Sequence, residues 1–257
     1  MNPVFLSHGA PSLLLDGGPG AEFLKGLGPK LGKPNAVLCM SAHWETQEPT
    51  FTSSAHPETI HDFYGFPEEM YRMRYPVRGE TILAEQALEL CRSAGISAAL
   101  NPERGLDHGA WVPLMAVFPA ADIPVVQVSI PFAQGPRGVF AVGAALRPML
   151  REGVLFMGSG GFTHNLGALS RTGAKTPDWA RKFRDWAVEA LVHNRLEDLL
   201  EAPMRAPNFK EAHPRAEHWL PLYFALGAAG TPWRCETLHQ GFEFGALAME
   251  SFSFPRA

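Results

Sequence analysis

The sequence predicts an α/β fold: a single domain whose central mixed, mostly parallel sheet is covered by helices on both faces. Three observations predict it. Short apolar runs bounded by turn residues recur along the chain, as buried strands do. They alternate with longer segments of helical periodicity. The runs are almost continuously apolar, which suits strands covered on both sides. With 257 residues, 46% of them hydrophobic, the chain can bury a sizeable core. No Ser-, Gly- or Pro-rich linker divides it, so residues 1–257 are expected to form one α/β unit.

Val4–Ser7, Ala36–Ala42, Val125–Ile130 and Val154–Gly158 are the clearest strands. Phe51–Ser53, Ser97–Leu100 and Arg234–Leu238 are weaker candidates for sheet edges. Glu80–Ala94 places Ile82, Leu83, Ala87, Leu88 and Cys91 in a helical stripe. Gly109–Phe118, Pro136–Leu150, Pro177–Leu200 and Pro214–Ala229 are the further helices. Pro177 and Pro214 suit first helical turns, where the missing N–H costs nothing; Gly95 and Gly227 suit helix ends. Residues 56–78 fit neither pattern. This stretch holds His56, His61, Phe63, Tyr64, Phe66, Tyr71 and Tyr75 between prolines, and an aromatic loop of that length usually covers a site.

Charge and cysteine content narrow the function. The net charge is −4 and no basic stripe could neutralise phosphates, which argues against nucleic acid or an anionic membrane as partner. No apolar run reaches membrane-spanning length and no basic, apolar leader opens the chain. Cys39, Cys91 and Cys235 are isolated and form no CxxC pair, which fits reduced thiols. A cytoplasmic protein is expected.

The histidines are the chemical signal. His8 follows the first strand, His43 the second, and His164 follows Val154–Gly158 through the turn Ser159-Gly160-Gly161. Ligands of open α/β sheets bind beyond the carboxyl ends of the strands, so these three converge by topology. Each alone would read as a packed or loop histidine. His108 precedes a helix, where a capping role is as good a reading, and His218 falls on the buried stripe of Pro214–Ala229, where an imidazole needs a partner. Neutral imidazoles are common ligands of Zn, Fe, Cu and Ni. HExxH, GxSxG, a P-loop and a complete GxGxxG are absent. The residues thus reach a multi-histidine metal site, without specifying a reaction.

Six segments supply the reaction by resemblance: Ser7-His8-Gly9-Ala10-Pro11, Ser41-Ala42-His43-Trp44, Asp62-Phe63-Tyr64-Gly65-Phe66-Pro67, Asp107-His108-Gly109-Ala110-Trp111, Gly158-Ser159-Gly160 with His164-Asn165-Leu166, and Glu217-His218-Trp219-Leu220-Pro221. In this order, from Phe5 to about Ala229, they resemble the class III extradiol ring-cleaving dioxygenases of the DOPA 4,5-dioxygenase type, relatives of the catalytic subunit of protocatechuate 4,5-dioxygenase. The resemblance implies that the whole chain is a catalytic domain cleaving a catechol with O2. It implies His8, His43 and His218 as metal ligands, His164 as ligand or acid/base group, and His108 as a catalytic helper of proton transfer. Fe(II) is the implied working metal, and the nitrogen-rich set also suits Zn(II). A histidine at 218 replaces the carboxylate of the usual two-histidine set. Glu217 is expected to turn about 100° away, off the buried stripe. Phe63, Tyr64 and Phe66 would shield the site, and Arg72, Arg74 and Arg78 could meet a substrate carboxylate. A homo-oligomer is compatible with this reading. The rival readings are a zinc hydrolase and a non-catalytic metal-binding protein on the same scaffold.

Overall fold

The computed structural model describes residues 1–171 and 173–256. Its strands are β1 (Val4–Ser7), β2 (Ala36–Thr46), β3 (Thr50–Thr52), β4 (Ala99–Asn101), β5 (Val125–Pro131), β6 (Val154–Gly160), β7 (Glu236–His239), β8 (Phe242–Glu243), β9 (Leu247–Ala248) and β10 (Ser251–Ser253). Eight of them form one sheet in the order β4-β3-β5-β2-β6-β1-β10-β7, while β8 and β9 make a separate hairpin. The centre, β5-β2-β6-β1, is parallel; β3 meets β5, and β10 meets β1 and β7, antiparallel. The mixed, mostly parallel sheet is therefore as expected.

Alternate residues of the central strands feed two cores. Phe5, Leu38, Met40, Val126 and Phe156 face the helices Gly135–Leu146, Thr81–Ser93, Asp178–Val192 and Pro221–Ala229. Val4, Leu6, Val37, Cys39, Leu155 and Met157 face Pro19–Leu31 and His108–Val117. Both faces are covered, which is why the runs lack polar alternation. Cys39 and Cys91 are buried free thiols, and Cys235 is partly buried.

Several boundaries move for physical reasons. The helix expected at Pro214 starts at Pro221. Pro221 has no N–H for the Glu217 carbonyl, and its ring would clash there, so no helix runs through it from 214. Residues 214–220 are bends and turns instead. Gly227 is consequently inside that helix, and Gly230 caps it. The expected helix Pro177–Leu200 is two, Asp178–Val192 and Leu196–Leu200, broken where Asn194 takes φ 54°. Pro136–Leu150 becomes Gly135–Leu146 followed by a 3-10 stretch, Arg147–Glu152. The expectation that β2 ends before His43 is also corrected. It runs to Thr46, although its pairing with β5 shifts between Met40 and Glu45. Gly95, at φ 76°, does follow a helix as expected.

Glu250, between β9 and β10, is 1% exposed, with Arg184 Nε 3.5 Å away. Burial pushes its carboxyl up to about 7, against the lowering pull of backbone hydrogen bonding and Arg184. Unfolded, it returns to its ordinary value of 4.5. Between those values the folded state keeps a proton the unfolded chain has lost. Stability therefore falls as pH rises from about 4.5 to about 7, then levels. Glu250→Gln is expected to raise stability at pH 8 by at most about 3 kcal/mol and to change nothing at pH 4. Thermal melts of metal-free protein at both pH values check this; an equal shift at both would contradict it.

Candidate metal centre

Neighbouring parallel strands end together, and that is what gathers the histidines. β2, β6 and β1 are adjacent and point the same way. His8 leaves the end of β1, donating its backbone N–H to Gly160 O at 3.0 Å. His43 sits in the irregular part of β2. His164 follows β6 and donates its backbone N–H to Ala212 O at 2.8 Å.

His218 arrives from the turns before Pro221. Its carbonyl accepts the Gly161 N–H at 3.0 Å, and a Cβ on Gly160 would stand 2.2 Å from that carbonyl. Glycine at the end of β6 is what lets this segment lie so close. His108 is the first residue of its helix. Asp107, fully buried, caps that helix through the Ala110 N–H and accepts from Ser41 Oγ at 2.6 Å.

The imidazoles form one group. His8 Nε2 and His43 Nε2 are 3.3 Å apart. Ring centroids lie 3.9 Å apart for His43 and His108, 4.8 Å for His43 and His218, and 5.3 Å for His8 and His218. His164 stacks on His218 at 3.3 Å. Two sets have potential ligand atoms within 4.8 Å of one another: His8, His43 and His108, and His164, Glu217 and His218. All five histidines named from the sequence are thus together, with His108 nearer to His43 than His218 is and, at 5.8 Å, slightly farther from His8.

Their far nitrogens have partners. Ser159 Oγ donates to Gly109 O and therefore accepts from His8 Nδ1, 2.9 Å away. Asp62 Oδ1 lies 2.9 Å from both the backbone N and Nδ1 of His108, and Asp62 Oδ2 is 3.8 Å from His43 Nδ1. Glu217 Oε1 is 2.9 Å from His218 Nδ1 and 3.8 Å from His164 Nδ1. These bonds leave Nε2 of His8, His108 and His218 available as lone-pair donors.

Sequence reasoning missed Asp62, Ser159 and Glu217 in these roles. Asp62 and Ser159 stood in quoted motifs, but nothing local marks them as imidazole partners. The expectation that Glu217 turns away from the site is overturned, because its helical premise fails before Pro221.

Burial, followed by the neighbouring imidazoles, holds His8 and His218 well below 6.5. The same causes take His43 to about 3 and His164 to about 4. Asp62 falls to about 2 despite burial, through its hydrogen bonds from His108. At neutral pH His8, His43, His164 and His218 are therefore neutral imidazoles, the ligating form. The spacing also fits. Zn–N bonds of about 2.0–2.1 Å in a tetrahedral site put neighbouring nitrogens about 3.3–3.4 Å apart, the separation of His8 and His43 Nε2.

The histidines floor a cavity of about 510 Å³ walled by Phe66, Leu166, Leu169, Phe244, Leu247 and Met249. Among the described residues Asp16 is the one carboxylate lining it, and no Lys or Arg lines it. Arg72, Arg74 and Arg78 are elsewhere. The aromatic loop divides: Phe66 lines the cavity, Phe63 packs edge-on against His108 at 5.7 Å, and Tyr64 is 92% exposed. Tyr64 therefore shields nothing. His61 bonds the Met73 carbonyl, and buried His213 bonds Phe162 O at 3.1 Å.

Buried histidines gathered at the carboxyl ends of adjacent parallel strands, on the floor of a cavity, are an arrangement that could hold a metal ion in an enzyme site. Residues 4–252 match the family described as the catalytic LigB subunit of aromatic ring-opening dioxygenase, and the chain belongs to that family. It is similar to the 4,5-DOPA dioxygenase extradiol of Beta vulgaris, 38% identical over 97% of this chain and 95% of the relative. Its counterpart from Portulaca grandiflora is 40% identical, covering 97% and 94%, and that of Escherichia coli K12 is 34% identical, covering 98% and 93%. The crystal structure of an uncharacterized protein from Escherichia coli K12 superimposes with a TM-score of 0.84 at 30% identity, covering 98% of this chain and 99% of that one. No helix among the described residues is long and apolar enough to cross a membrane.

Proposed function

We propose that this enzyme opens the ring of a DOPA-like catechol by extradiol cleavage with O2, using Fe(II) held by His8, His43 and His218, with His164 adjacent as ligand or acid/base group. The convergence of the His8 and His43 Nε2 atoms, beside His218 and His108 at the floor of an apolar cavity, is the observation that carries it. Bound there, Fe(II) would acidify the catechol hydroxyls and join the electrons of the ring to O2. Everything else falls to the chain. Asp62 fixes His108 through Nδ1, so Nε2 of His108 faces the cavity as a base for a catechol proton, and the carboxylate stabilises the resulting imidazolium. Phe66, Leu247 and Met249 hold the ring and exclude water. The 3.3 Å stack on His218 keeps His164 at the same floor, where it can return a proton as the ring opens.

Anaerobic loading with Fe(II), then O2 uptake and visible spectra with DOPA, dopamine, 4-methylcatechol and protocatechuate, tests the reading. A yellow semialdehyde with equimolar O2 uptake is expected. No uptake with any catechol, or turnover with Zn(II) and no O2, defeats it.

The lining charge sets an order within that panel. A carboxylate placed directly on the ring meets no cation, so protocatechuate is expected to be the poorest substrate. Asp16→Asn is expected to raise KM for dopamine up to about fivefold, the worth of an exposed ion pair, and to leave KM for 4-methylcatechol unchanged. Steady-state O2 uptake measures both.

A further inference from the structure

Three histidine ligands bring no negative charge to a metal cation, yet carboxylates stand behind them: Asp62 by His43 and His108, and Glu217 by His218. Glu217 is largely buried, its side chain 12% exposed, and its Oε1 lies 2.9 Å from His218 Nδ1 and 3.8 Å from His164 Nδ1. Those two rings come from different parts of the fold and stack at 3.3 Å with a 9° tilt. One oxygen thus faces the far nitrogens of both. The carboxylate is tethered in turn: Arg215 Nη1 is 3.8 Å from Glu217 Oε2, and the Arg215 guanidinium also bonds Glu45 at 2.5 Å and covers the Phe132 ring at 4.8 Å. Glu45 lies on β2, two residues beyond His43. The row Glu45, Arg215, Glu217 and His218 ties the strand bearing one candidate ligand to the turn bearing another.

We propose that Glu217 is the positioning residue of the metal centre. It holds His218 as the Nδ1–H tautomer, presents Nε2 to the metal, steadies His164 against it, and places a negative charge one imidazole removed from the ion on the His218 side, opposite Asp62 behind His43 and His108. The inference rests on the metal-binding reading above. A carboxylate hydrogen-bonded behind a ligating histidine fixes ring orientation and makes the imidazole a stronger donor. Glu217 Oε1 is engaged at Nδ1, the side of His218 away from Nε2, while its buried Oε2 has no hydrogen-bond partner, so direct ligation by Glu217 is the alternative the variants below distinguish.

Two measurements test this. Nitrogen-15 NMR of the wild-type protein, metal-free and Zn(II)-loaded, reads the His218 tautomer directly and needs no variant. Nδ1–H in both states, with zinc on Nε2, is expected; zinc on Nδ1 overturns the proposal. Zn(II) and anaerobic Fe(II) dissociation constants are then compared for wild type, Glu217→Gln, Glu217→Ala and His218→Ala. Glu217→Ala is expected to weaken binding about 10–100-fold. Glu217→Gln keeps an acceptor for Nδ1–H and loses the charge, so it falls in between and retains the tautomer. Binding by Glu217→Ala within about threefold of wild type overturns the proposal. So does a Glu217→Gln protein that binds as poorly as His218→Ala, which would make Glu217 a ligand. If the wild type binds neither metal, the metal reading fails with it, while the metal-free tautomer still reports whether Glu217 orients His218.

Discussion

Replacing His8, His43 or His218 with alanine is expected to weaken Zn(II) and Fe(II) binding by two to three decades and to abolish ring cleavage. Four-ligand zinc sites bind with about 10–16 kcal/mol, so one ligand accounts for about 2.5–4 kcal/mol, and each 1.4 kcal/mol is tenfold. Losing the metal should not unfold the chain, because the sheet beneath is held by two apolar cores independent of it. His213→Ala is the control. His213 is buried and bonds the Phe162 carbonyl, so its loss is expected to lower thermal stability and leave metal affinity within about threefold. Chelator competition and melting curves on the same proteins separate the two effects. Equal metal affinity in His8→Ala and wild type would refute the ligand assignment.

Gly109→Ala is expected to be the second most damaging change, though it removes nothing. A Cβ at 109 would lie 2.3 Å from Ser41 Oγ, 2.7 Å from His43 Cδ2 and 3.2 Å from His8 Cε1. Ser41 cannot swing away freely, since its hydroxyl is bonded to buried Asp107. Alanine is favoured over glycine within a helix by about 1 kcal/mol, but overpacking of this kind costs about 1–3 kcal/mol, so destabilisation wins. The displaced atoms belong to two candidate ligands, so metal affinity should fall by more than stability alone suggests. At this chain length 1 kcal/mol moves Tm by about 2–4 °C. The checks are a melting curve and a Zn(II) titration. A folded Gly109→Ala protein with unchanged metal affinity would show that the first helical turn is free to retreat.

Much of this architecture was legible because it is local. Val4–Ser7 and Val154–Gly158 are apolar runs that suit a strand covered on both faces; His8 follows the first directly and His164 follows the second through a glycine turn. What was missed depends on distant partners or on one residue overruling a pattern. β10 pairs beside β1, about 250 residues earlier in the chain, and no periodicity in Ser251–Ser253 announces that. Pro221 stops a helix whose apolar spacing runs through it, and with that stop Glu217 changes from an outward-facing charge to the partner of His218. Asp62 is one polar residue in an aromatic loop until folding brings it against His108.

By itself the sequence determined the strand and helix alternation, the buried character of the central sheet, and the family to which the histidine motifs belong. Each follows from residue spacing or from motifs preserved in order. Only the tertiary structure decided which nitrogen of each histidine faces its neighbours, what stands behind it, and which loop residues reach the cavity. For His8 and His108 those depend on hydrogen bonds between segments 151 and 46 residues apart, and for His218 on the turn that brings its neighbour Glu217 back against Nδ1. A local pattern carries no term for such pairings, whereas the common direction of β2, β6 and β1 places the groups that make them at one sheet edge.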